Sequence, residues 1–142
     1  MIRKYRQSDL NEVLDAWYSA SQVAHPFLDD AFLAHEREMI ASVYLPSPDS
    51  ETWVYEEDGV VVGFISMLGN EVGGLFVHAD HQRQGIGGKL MDFAVERKGS
   101  LTLEVFEENK IGRRFYRQYG FVKVGEVMDE EIGKNQFKMA FS

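Results

Sequence analysis

The chain contains no cysteine. Disulfides, zinc–thiolate sites and cysteine nucleophiles are therefore excluded. Proline is scarce, with three in 142 residues. Pro46 and Pro48 fall together in SVYLPSPDSE and mark that segment as a loop, while Pro26 marks a break after a helical stretch. Long apolar runs are missing. None approaches the roughly 20 residues that cross a bilayer, and MIRKYRQSDL at the start has no apolar signal-peptide core. Positive charge is in short supply: 15 Lys and Arg stand against 23 Asp and Glu, for a net charge of -8. A dominant nucleic-acid role needs a basic face and is not expected. Repeats and low-complexity segments are also absent. These absences predict a cytoplasmic protein with no membrane or nucleic-acid partner.

What is present suits one domain over residues 1–142. The chain is 44% hydrophobic and carries 10 Phe, 6 Tyr and 2 Trp, enough large side chains for a core. Its acidity favours solubility and is compatible with a cationic substrate. An ordinary solvated acidic surface explains the same charge.

Periodicity gives the order of elements. IRKYR at 2–6 alternates as a first strand, and Ser8 is placed to cap the helix bearing Leu10, Val13, Leu14 and Trp17. A second helix is expected from Phe32 to Ser42. TWVYEE at 52–57 and VVVGFISML at 60–68 flank Asp58-Gly59, a strong hairpin signal. EVGGLFV at 71–77 is a further strand, and Gly73-Gly74 within it suggests a bulge or a close approach to the main chain. A helix then carries Ile86, Leu90, Phe93 and Ala94 and ends at Gly99. SLTLEVF, the helix from Asn109 to Tyr119, FVKVGEV and NQFKMAF complete the order β-α-α-β-β-β-α-β-α-β-β. The expected fold class is α/β: a mixed, mostly antiparallel sheet with helices on both faces.

The sharpest local signal is Gln82-Arg83-Gln84-Gly85-Ile86-Gly87-Gly88, between a strand and a helix. Such a junction exposes unpaired N–H groups at the positive end of the helix dipole, where a phosphate or pyrophosphate fits. A tight turn without ligand would use glycine equally well. The segment fails the G-x-x-x-x-G-K-[ST] pattern, because Leu90 follows Gly88-Lys89, and it fails G-x-G-x-x-G, because Leu90 stands where the third glycine belongs.

It does match [Q/R]-x-x-G-x-[G/A] through Gln82, Gly85 and Gly87. LFVHADHQRQGIG and LTLEVFEENKIGRRFYRQYGF together resemble the two signature blocks of the GCN5-related N-acetyltransferase (GNAT) superfamily, in the same order and at the same separation. The HPFL segment at 25–28 and the C-terminal ending are similar to those of the small bacterial YjaB-like acetyltransferases.

The resemblance implies a single-domain GNAT fold, acetyl-CoA as donor, coenzyme A as product, and direct transfer to a primary amine without a metal. It assigns the coenzyme to Phe76 and Val77 on the strand, to Gln82, Arg83, Gln84, Gly85, Ile86, Gly87 and Gly88 in the loop, and to Asn109. Lys89 adds charge to the phosphates in this reading. Tyr116 matches the tyrosine that protonates the leaving thiolate. Glu71 matches a glutamate that serves as general base, with His25, His78 or water as alternatives. Trp17 and Phe27 are expected near the acceptor. Ala79 stands where the family often has proline, and Gly112 where alanine is common, which leaves room for the coenzyme. The acceptor is a small molecule or peptide amine, and the protein a monomer or homodimer. The same residues leave open a non-catalytic acyl-CoA-binding or interaction module, a longer acyl donor, or a hydroxyl acceptor.

Overall fold

Alternation along the strands sorts the apolar side chains onto two faces of one sheet. A computed structural model describes residues 1–142. Its elements are β1 (Ile2–Lys4), α1 (Leu10–Ala24), α2 (Asp30–Met39), β2 (Ser50–Glu57), β3 (Val60–Leu68), β4 (Glu71–Val77), α3 (Ile86–Lys98), β5 (Leu101–Phe106), α4 (Lys110–Tyr119), β6 (Val122–Asp129) and β7 (Lys134–Phe141). All seven strands form one sheet in the order β1-β2-β3-β4-β5-β7-β6. Only β4 and β5 pair in parallel, across the α3 crossover.

On one face Trp53, Ile65, Leu101, Leu103 and Val105 pack against Ile86, Leu90, Met91 and Ala94 of α3. On the other, Val54, Val61 and Phe64 pack against Val13, Leu14, Ala16 and Trp17 of α1 and Leu33 of α2. The period-two strands thus feed two cores with helices on both sides, as the expected fold class requires.

Turn chemistry accounts for the punctuation. Asp58 and Gly59 have φ of 52° and 81°, the two positive values that a tight hairpin needs. Gly99 has φ of 80° and closes α3.

Three local expectations are corrected. Ser8 does not cap α1. A 3₁₀ turn, Gln7–Asp9, precedes that helix, and buried Asp9 accepts the Arg6 N–H at 2.8 Å. Asp9 also receives two bonds from the Arg3 guanidinium, both at 2.8 Å. A carboxylate satisfies more donors at a crowded entry than a hydroxyl does. The second helix starts earlier than expected, because Asp29 caps it by accepting from the Phe32 N–H at 2.8 Å. The segment after α2 continues as a wider π-helical turn, Ile40–Tyr44, before the proline-bearing loop.

Candidate active site

The parallel pairing of β4 and β5 covers Glu71–Thr102 and Val72–Leu103, then stops. The cause lies on the other edge of β4. Met67 pairs with Val72 and Ser66 with Gly74, so Gly73 has no opposite residue. This bulge bends β4 away from β5. The His78 N–H donates to Val62 O at 2.8 Å, which sets the alternation of the β3–β4 ladder. The groups of Gly74, Phe76 and His78 face β3, and those of Leu75 and Val77 face the gap. The Val77 carbonyl accepts from Gln82 Nε2 at 2.9 Å. The Val77 N–H and both groups of Leu75 remain directed at a cleft of about 790 Å³.

The glycine-rich loop borders this cleft. Arg83 (φ 65°) and Gly85 (φ 82°) are left-handed, and a non-glycine residue held there is a local strain common at functional sites. The first intrahelical bond of α3 runs from the Lys89 N–H to Gly85 O at 3.0 Å. The N–H groups of Ile86, Gly87 and Gly88 therefore lack intrahelical acceptors. No side chain caps this end, and its first turn has no acidic residue. A Cβ at Gly85 or Gly88 would meet nothing within 4 Å, while one at Gly87 would touch the Phe115 ring at 3.4 Å. The result is a bare, positively polarised helix start facing open space.

Helix α4 forms the adjacent wall. Asn109 Oδ1 accepts from the Gly112 N–H at 2.9 Å and caps it. A Cβ at Gly112 would come within 2.5 Å of Asn109 Nδ2. Glycine there lets the capping amide fold over the helix. Tyr116 lines the cleft, and no side-chain or turn hydrogen bond occupies its hydroxyl. Burial pushes its phenol up to about 12.

The opposite side of the cleft differs in character. Glu36 of α2, Glu104 of β5 and Asp129 of β6 all line it. Burial raises the Glu36 carboxyl above its ordinary range; His35 opposes this and Asp129 adds to it. Trp17, Leu28, Phe32 and Phe106 supply apolar lining. Phe27 packs edge-on against Phe106 at 5.5 Å.

Most residues expected at the site are brought together here. Phe76, Val77, Gln82, Arg83, Gly85, Ile86, Gly87, Gly88, Asn109 and Tyr116 all line the cleft. Gln84 does not, and the Lys89 ammonium lies over the Tyr55 ring, 5.8 Å from its centroid. Glu71 also stands outside, where β4 and β5 are still paired. His78 is outside as well, with Nδ1 accepting from the Asp80 N–H at 3.1 Å. His25 lines the cleft, but burial pushes it down to about 4, so it is neutral and weakly basic at pH 7. Sequence reasoning missed Glu36, Glu104 and Asp129. Glu104 was findable, as a charge on the outer phase of an alternating strand. Glu36 sits in a polar row of α2 with nothing local to single it out.

A family model described as an acetyltransferase (GNAT) domain matches residues 48–123. The chain belongs to the GNAT family of N-acetyltransferases. It is 33% identical over 122 residues to peptidyl-lysine N-acetyltransferase YiaC of Escherichia coli K12, covering 85% of this chain and 82% of that one. The solution structure of apo-form YjaB from Escherichia coli superposes with a TM-score of 0.88 at 26% identity, covering 99% of this chain and 96% of that one. The PaiA N-acetyltransferase of Thermoplasma acidophilum, solved in complex with coenzyme A, shares the fold with a TM-score of 0.79 at 19% identity, covering 99% of this chain and 96% of that one. The GNAT fold therefore spans nearly the whole chain, and the splayed strands and glycine-rich loop fall within the part matched by the family model. No helix is long and apolar enough to cross a membrane.

Proposed function

We propose that this GNAT enzyme moves the acetyl group of acetyl-CoA directly to a primary amine, the side chain of a lysine in a peptide or protein. One observation carries the reading: a bare helix start, unpaired strand groups and the Tyr116 phenol all face one cleft. Bound acetyl-CoA supplies a thioester whose acyl carbon takes the amine and whose sulfur leaves. The N–H groups of Ile86, Gly87 and Gly88 hold the pyrophosphate, and Arg83 adds charge beside them. Gln82 fixes the loop through its bond to the Val77 carbonyl. Leu75 offers its N–H and C=O to the amides of the pantetheine arm, and Phe76 packs beneath them on Phe64 at 5.5 Å. The Val77 N–H donates to the thioester oxygen as negative charge develops there. Tyr116 gives its proton to the departing thiolate, and its raised pKa keeps that proton in place at neutral pH. Positioning in a walled cleft supplies much of the acceleration.

Glu36, Glu104 and Asp129 give the acceptor side the sign that attracts an ammonium group. The aromatic lining suits the aliphatic stem of lysine, and the name of the relative YiaC supports the same acceptor. Because Glu71 stands outside the lining, we assign removal of the amine proton to water within the acidic half.

Calorimetry with acetyl-CoA and mass spectrometry of a lysine peptide test the proposal together. Saturable one-to-one binding and a gain of one acetyl group on lysine are expected. Binding without transfer to any amine would leave a coenzyme-binding module, and no binding by the folded chain would sink the reading.

A further inference from the structure

One partly buried polar pair in the cleft is not used by the transfer steps. His25 closes the C-terminal end of α1, with its N–H donating to Ser21 O at 2.8 Å and its carbonyl accepting from the Leu28 N–H at 3.1 Å. Its Nε2 lies 3.2 Å from Asn109 Nδ2. The roles in this contact follow from a second bond. Asn109 Oδ1 accepts from the Gly112 N–H at 2.9 Å, so the amide oxygen must face the helix and the amide nitrogen must face the histidine. An amide nitrogen only donates, so Nε2 is the acceptor and the ring proton sits on Nδ1. A doubly protonated ring would bring two donors together and break the bond.

The surroundings hold this tautomer. The His25 ring meets Phe27 edge-on at 5.6 Å and Phe106 edge-on at 5.2 Å. Phe27 and Phe106 meet each other at 5.5 Å. Asn109 is 7% exposed. No charged side chain forms an ion pair or hydrogen bond with His25, and burial alone drives its pKa down to about 4. Asn109 is also tied to the end of β5 by its N–H, which donates to Phe106 O at 3.0 Å.

We propose that His25 is a positioning residue, whose neutral imidazole locks the Asn109 amide over the start of α4 and so ties the α1–α2 turn to the helix that presents Tyr116. The proposal rests on the transfer reading above for its kinetic consequence, but its tautomer and hydrogen bond can be read without turnover. It also removes His25 from the candidates for general base. An imidazole whose lone pair is already engaged, and which stays neutral through the neutral range, holds an amide and does not collect protons from an incoming amine.

Two measurements test it. The first is ¹⁵N NMR of the imidazole in the unmodified protein between pH 5 and 8. The Nδ1–H tautomer is expected throughout, with no titration above pH 5 and with a coupled shift of the Asn109 side-chain NH₂. A ring that titrates near its ordinary value, or that carries its proton on Nε2, overturns the proposal. The second compares His25→Phe with His25→Gln, which can still accept from the amide. His25→Phe is expected to lower kcat by about tenfold or more, since small misplacements of a reacting group are costly. The KM for acetyl-CoA should change less than about twofold, and His25→Gln should recover most of kcat with an unaltered pH profile. A Gln variant as slow as Phe, with the acid limb of its profile gone, would make His25 a proton carrier instead. Unchanged kcat in a well-folded Phe variant would leave it no role. Failure of acetyl-CoA to bind would strike the transfer reading and leave the NMR result standing.

Discussion

The two halves of the cleft are built from different parts of the polypeptide. On the loop side the working groups are main-chain: the N–H groups of Ile86, Gly87 and Gly88 at a helix start, and those of Leu75 and Val77 where β4 leaves β5. On the α2 side they are side chains, Glu36, Glu104 and Asp129, carried by three elements distant in sequence. A backbone site needs particular residues mainly to keep atoms out of the way and to allow unusual dihedrals. A side-chain site needs particular functional groups, but almost any helix or strand can present them. The first kind constrains local sequence tightly and the second hardly at all.

The largest effect is expected from filling the backbone half. In Gly87→Glu the new side chain would enter beside the Phe115 ring and bring a carboxylate to the helix start where we propose that the pyrophosphate binds. Acetyl-CoA affinity should fall by about 100-fold or more in a protein that still melts cooperatively. Calorimetry and a melting curve on the same sample read both. A variant that binds normally would separate the helix start from the coenzyme and break the comparison. The next largest effect belongs to the residue between the halves. Tyr116→Phe keeps the ring packed against Phe121 at 5.7 Å and removes only the hydroxyl. A loss of about 100-fold in kcat is expected for a missing general acid, with acetyl-CoA binding retained. An undiminished kcat would move proton delivery to solvent.

The same contrast explains what was legible in the sequence. The strand–helix order, the Asp58-Gly59 hairpin and the bulge at Gly73-Gly74 all follow from periodicity and turn chemistry. So does the loop, because glycines at 85, 87 and 88 are a local requirement of the geometry. The GNAT resemblance rested on two blocks, the strand and loop of this backbone half and the β5–α4 segment that carries Asn109 and Tyr116, and the structure bears out that fold over nearly the whole chain. The acceptor half was less legible. Glu71 drew attention by its match to a family glutamate, but the cleft opens only where the β4–β5 pairing ends at Val72. Glu36 becomes relevant only once the fold brings it to the cleft that Asp129 also lines, a tertiary fact without a local pattern. Ser8 was expected to cap α1 because capping rules weigh the helix alone, whereas Arg3 of β1 decides where the Asp9 carboxylate goes.

Glu36→Gln sharpens the contrast from the other side. It removes one negative charge from the acceptor half and leaves the loop untouched. KM for a lysine peptide should rise by about tenfold, a loss in the range of one charge-assisted contact, while acetyl-CoA affinity stays within twofold. The effect should shrink with added salt, since part of it is attraction across solvent. A change in coenzyme affinity with no change in peptide KM would mean that the two halves had been assigned the wrong way round.

The smallest effect at neutral pH concerns the two titrating groups that burial displaces in opposite directions. His25 is pushed down to about 4 from an ordinary 6.5. An unfolded chain therefore takes up a proton first as pH falls, and stability present above about 6.5 is lost on the way down to 4. Tyr116 is pushed up to about 12 from 10. Here the unfolded chain releases its proton first as pH rises, so stability present below about 10 is lost on the way up to 12. Between these limits neither group changes its charge in either state. Melting temperature followed from pH 4 to 11 should show this pair of slopes, the acid one diminished in His25→Phe and the alkaline one in Tyr116→Phe. For the same reason Tyr116 should contribute no alkaline limb to kcat below about pH 10. A limb near pH 9 that disappears in Tyr116→Phe would mean that the phenol is far better solvated than its place in the cleft wall implies. The main-chain N–H groups of the backbone half do not titrate, so they add no pH dependence to acetyl-CoA affinity through the interval in which both side chains keep their charge.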